Sequence, residues 1–99
     1  MAKDSITIQS TERIAHCFRA VVNKHLRNYY VLVENDVEEN GTWHCLVHSR
    51  DFLGYGRVEV MDLLYAERIQ RSSKAASVNV AREALRHYLY KCLDDNLPF

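Results

Sequence analysis

Thr11-Glu12-Arg13-Ile14-Ala15-His16-Cys17-Phe18-Arg19-Ala20-Val21-Val22-Asn23-Lys24-His25-Leu26 is the stretch whose conformation decides the fold. Apolar residues recur at Ile14, Cys17, Phe18, Val21, Val22 and Leu26, intervals of three and four that put them along one side of a helix. Ser10 and Thr11 stand where capping residues belong. The spacing predicts a first helix from about residue 11 to 26.

Downstream the period changes. Tyr29-Tyr30-Val31-Leu32-Val33 is aromatic and β-branched and predicts a strand, with Glu34 to Gly41 as its polar connection. In the next segment Trp43, Cys45 and Val47 alternate with His44, Leu46 and His48, so each set takes one face of a second strand. Phe52 to Val58, containing Gly54-Tyr55-Gly56, predicts a third short strand that its glycines allow to bend. Met61 to Ile69 chooses no single apolar face and reads as an insertion spanning about 59–71. Beyond Ser72-Ser73, which serve as cap, Ala76, Val80, Ala81, Ala84, Leu85, Tyr88, Leu89 and Cys92 form the wide apolar stripe of a last helix. Upstream, Ser5-Ile6-Thr7-Ile8 alternates briefly, as a strand edge or an ordered arm would.

The expected fold is α+β in the order α-β-β-β-α, two helices packed on the Trp43/Cys45/Val47 face of a three-stranded antiparallel sheet. Residues 1–10 form an arm, 11–93 the domain and 94–99 a tail. With 99 residues, 47% apolar and 26% charged, the chain has material for one core and excludes a large catalytic scaffold. No apolar run approaches the roughly 18 residues of a membrane span, and no signal-peptide core follows Met1. An intracellular setting without a membrane partner is expected.

Net charge is zero, with 13 Lys+Arg against 13 Asp+Glu, but the charges are segregated. Arg13, Arg19, Lys24 and Arg27 face no acid between residues 13 and 27. From 68 to 91, Arg68, Arg71, Lys74, Arg82, Arg86 and Lys91 stand against Glu83 alone. Glu34, Asp36, Glu38 and Glu39 restore the balance far away in sequence. Screening over about 8–10 Å leaves a basic segment attractive to a polyanion, although ordinary solvated helix faces read the same way.

The region from Thr11 to Leu93 resembles a double-stranded-RNA-binding domain. Trp43 to Val47 followed by Gly54-Tyr55-Gly56 is similar to that family's second and third strands, and Ser72-Ser73-Lys74-Ala75-Ala76-Ser77 through Leu85 to the start of its second helix. The resemblance implies shape-selective binding of duplex RNA without catalysis. Arg71, Ser73, Lys74 and Ser77 would meet phosphates at the helix start, and Ser10, Thr11, Glu12 and His16 would meet a minor groove. Lys74 alone remains of the three lysines usual there. Overall likeness extends to the C-terminal RNA-binding domain of fungal Dicer ribonucleases, which implies an accessory role in RNA silencing, a nuclear location and a structural zinc. A protein-interaction or nuclear-retention module on the same fold, using Val60 to Ile69, the open sheet face or the C-terminal end, is the alternative expectation.

The three cysteines lack the compact pairs of a zinc motif. Cys17, Cys45 and Cys92 read either as small core residues or as three ligands of a tetrahedral zinc. For the fourth ligand, His25 lies two helical turns from Cys17, roughly 12 Å away. The likeness to the fungal domain favours His44, with His48 or His87 as alternatives. No nucleophile motif or phosphate-cradling glycine loop suggests catalysis.

Overall fold

The segment Cys17 to Leu26 is not helical. The computed structural model describes residues 5–10, 16–36, 38–39, 41–52 and 58–99. In it five strands, β1 (Ile6–Ser10), β2 (Cys17–Val22), β3 (His25–Asn35), β4 (Thr42–Phe52) and β5 (Val58–Gln70), precede one helix, α1 (Ser77–Asp94). The strands form one antiparallel sheet in sequence order. The expected α-β-β-β-α arrangement is thus corrected, among the described residues, to five strands and a single helix.

Alternation explains the change. Phe18, Ala20 and Val22 are buried while Arg19 is exposed, the period of two that a strand with one covered face requires. Val22 pairs with His25 across Asn23-Lys24, whose φ values of 48° and 72° make a two-residue hairpin turn. Positive φ at both central positions suits the turn to the twist of the flanking strands. Asn23 also ties the hairpin to β1, its N–H donating to the Ser5 carbonyl at 2.9 Å and its Oδ1 accepting from the Ser5 N–H at 2.8 Å.

The span expected to be an insertion, 59–71, lies mostly within β5. Its apolar residues fit no single face because β5 is irregular against β4. Val47 pairs with Tyr65 and His48 with Leu63, then Arg50 pairs with Val60. Each step places an extra residue on β5, and each bulge reverses which side chains point inward. The expected third strand at Phe52 to Val58 holds only the end of β4 and the start of β5, and Gly54, Tyr55 and Gly56 lie outside the described residues.

One face of the sheet carries Phe18, Ala20, Val22, Tyr29, Val31, Trp43, Cys45 and Val47. Against it α1 sets Val80, Ala81, Ala84, Leu85, Tyr88, Leu89 and Cys92. Fully burying a side chain such as Leu85 or Leu89 contributes about 2 kcal/mol, so α1 does alone the covering expected of two helices. Tyr88 meets Tyr29 edge-on at 6.1 Å between ring centroids and fixes the C-terminal half of α1 over β3.

Candidate nucleic-acid interface

The first turn of α1 is open. Its N-cap, Ala76, supplies no side-chain hydrogen bond, and the turn holds no acid, which corrects the expected serine cap. The Asn79 N–H is taken by the Ala76 carbonyl at 3.0 Å, which leaves the Ser77 and Val78 N–H groups and the positive end of the helix dipole for another acceptor.

The loop before it is held from beneath. Trp43 Nε1 donates to the Ser72 carbonyl at 3.3 Å, Asn35 Nδ2 to the Ser73 carbonyl at 3.5 Å, and the Arg71 N–H to the Gly41 carbonyl at 2.8 Å. Gly41 has φ 93°, and a Cβ there would stand 3.2 Å from the Arg71 carbonyl oxygen. Close approach and positive φ together call for glycine. Ser72 closes the loop, its Oγ accepting the Lys74 N–H at 3.2 Å and its carbonyl the Ala75 N–H at 2.9 Å. Lys74 is therefore carried next to the open helix end on a braced turn.

Several residues expected to bind RNA do gather here. His16 Nε2 lies 3.0 Å from Ser77 Oγ, joining the turn before β2 to the first residue of α1. Burial depresses the His16 pKa, favouring the neutral ring. Ser10 lies further along the helix, where its Oγ accepts from Arg82 Nη2 at 3.2 Å. Arg71 is directed to Glu83 in an ion pair. Thr11 and Glu12 lie outside the described residues.

From this end a basic face follows α1. Asn79, Arg82, Glu83, Arg86 and His87 line a shallow groove of 340 Å³. Arg82 lies over the Phe18 ring at 5.9 Å, and His87 Nδ1 is 2.7 Å from Glu67 Oε1. Lys74 and Arg86 have no ion-pair partner among the described residues. Both are exposed, as are Arg19, Lys24 and Arg68, which also have no ion pair among the described residues; Lys74 and Arg86 differ in standing beside and along α1. Arg86 belongs to this surface; the sequence counts it among the bases of residues 68–91 without assigning it to RNA contact, and its place on the side of the helix opposite the Val80-to-Cys92 apolar stripe was the available signal.

The cysteines do not meet. Cys17 pairs with Tyr30, and that register puts it on the sheet face opposite Phe18 and Tyr29. Cys45, paired with Val33, and Cys92 of α1 belong to the core on the helix side. His44 Nε2 is 3.0 Å from Asp36 Oδ2, and His48 pairs with Tyr30 on the far face with Cys17. Among the described residues no three potential ligands lie close enough to hold a metal ion. Burial first, then the nearby Glu67 and Glu83, push the Cys45 thiol up to about 11, so it stays protonated at neutral pH.

The chain matches no protein-family model, no curated protein and no solved structure.

Proposed function

We propose that this chain is a non-catalytic module that binds the phosphate backbone of nucleic acid, duplex RNA in particular, at the start and along the basic face of α1. The observation that carries the reading is an uncapped, acid-free helix N-terminus with Lys74 beside it on a braced turn and Arg86 on the exposed face beyond. Backbone N–H groups and the dipole favour an anion there, and flanking cations add affinity through release of condensed counterions.

A duplex is the favoured form because the helix start presents Lys74, Ser77 and Asn79, side chains suited to phosphates and hydroxyls, rather than aromatic rings on which unpaired bases stack. The sequence resemblance of Ser72 to Leu85 to an RNA-binding helix start supports the same partner. The test is an electrophoretic titration of the chain with duplex RNA, duplex DNA and single-stranded RNA at two salt concentrations. Replacing Lys74 and Arg86 together by alanine should weaken duplex binding for every sequence and lower the salt slope by about 2. Unchanged binding in that variant would remove α1 from the interface.

A further inference from the structure

The ladder between β3 and β4 ends early. Its last pair is Tyr29 with Ser49, yet β3 continues back to His25 beside β2, and β4 continues to Phe52 beside β5. In register, Asn28 would have faced Arg50 and Arg27 would have faced Asp51. Instead Arg27 bends back, donating to its neighbour Leu26's carbonyl at 2.8 Å and lying over the Phe99 ring at 5.8 Å.

Between the parted strands is a cleft of 580 Å³, bordered by Leu26, Tyr29, Arg50, Met61, Leu64 and Phe99. Its walls are mixed and open: Leu26, Met61 and Leu64, 48%, 49% and 37% exposed, alternate with the polar Arg27, Asn28 and Ser49. Tyr29 is 1% exposed, and its hydroxyl has no hydrogen-bond partner among the described residues. Buried hydroxyls are rarely left so. On the β4–β5 side stand Asp51 and Asp62, neither with an ion-pair partner among the described residues.

Backbone polarity adds a direction. The Val31 N–H donates to the His16 carbonyl across β2, so alternation turns the Leu26 and Asn28 peptide groups toward the side where β4 is missing. Arg27 fills one of those vacant acceptor positions with its own guanidinium.

We propose that this cleft takes up an extended segment of a partner protein, apolar residues alternating with basic ones, which pairs along the His25–Asn28 edge of β3. Strand addition would satisfy the open peptide groups. Apolar side chains would cover Leu26, Met61 and Leu64, and basic ones would meet Asp51 and Asp62. The site borders the C-terminal half of α1 and is independent of the phosphate surface at the other end of the helix.

The test is an NMR titration of the intact chain, labelled with ¹⁵N, with a capped octapeptide of alternating lysine and valine and with its glutamate–valine counterpart. Saturable shifts are expected at Leu26, Asn28, Asp51 and Asp62, with the lysine peptide bound about tenfold more tightly. The double variant Asp51→Asn, Asp62→Asn, checked as folded by its spectrum, should erase that preference. Absence of saturable shifts at millimolar peptide, or equal affinity for both peptides, would overturn the proposal. Shifts at the same residues that grow with protein concentration alone would also overturn it, by giving the cleft to a second copy of the chain.

Discussion

Arg50 Nε donates to the Tyr29 carbonyl at 2.8 Å at the point where β3 and β4 separate, and its Nη2 reaches the Phe18 carbonyl at 3.3 Å. One guanidinium, 5% exposed, thus bridges β4 to both β3 and β2 where the β3–β4 ladder gives out. Hydrogen bonds from a charged donor contribute about 1.5–3 kcal/mol each, and burial raises the cost of losing them. Arg50→Met should lower unfolding free energy by about 3 kcal/mol in urea. A loss under about 1 kcal/mol would mean that the fork holds without the guanidinium.

Gly41 is the brace of the helix approach. Gly41→Ala imposes both a left-handed φ on a residue with a side chain and a contact at 3.2 Å with Arg71. A cost of about 1–2 kcal/mol is expected. Because the loop sets Lys74 beside the helix end, duplex affinity should fall in the same variant while the far cleft is unaffected. Stability loss with full affinity would separate the loop from binding.

Acid should act through the β3–β4 hairpin. Asp36 accepts the N–H groups of Glu38 and Glu39 at 2.9 and 3.2 Å and faces His44 at 3.0 Å. The His44 hydrogen bond, then these backbone bonds, hold its carboxyl below the usual carboxylate range. A carboxylate depressed in the folded state stabilises it above the unfolded value of 3.8, and that contribution is lost as pH falls through the lower folded value. Wild type should therefore exceed Asp36→Asn in thermal stability near neutrality, and the gap should close below about pH 4. A gap independent of pH would assign the effect to packing.

The β2–β3 hairpin escaped the sequence because Cys17, Phe18, Val21, Val22 and Leu26 fit a helical stripe, while the strand alternation rests on only Phe18, Ala20 and Val22. What separates them is Arg19 between Phe18 and Ala20, with Asn23-Lys24 at the turn, and Asn-Lys is a weaker turn signal than Asn-Gly. In β5 the bulges beside His48 erased the alternation itself. The regular part of β4 and the last helix were legible, since Trp43, Cys45 and Val47 keep strict alternation and Val80 to Cys92 a steady helical stripe. Of the proposed phosphate surface, Lys74 and Ser77 could be named from the sequence, and His16, read there as a minor-groove contact, stands beside them. The cleft could not, because it exists only where two long strands part.

The cysteines should behave as core side chains. Chelation during a thermal melt of untagged protein is expected to leave the transition in place, and Cys92→Ser to cost about 1–2 kcal/mol for placing a hydroxyl among Tyr88, Tyr29 and Leu89. A transition lowered by chelator would show a metal bound to the native chain.

The central claim is that the open start of α1 grips phosphate. An NMR titration of the ¹⁵N-labelled chain with a short RNA duplex measures it most directly. The predicted result is saturable shifts centred on the amides of Lys74, Ser77, Val78 and Asn79, with affinity weakened by added salt and lowered in Lys74→Ala. Shifts confined to the opposite sheet face, or none at saturating duplex, would contradict it.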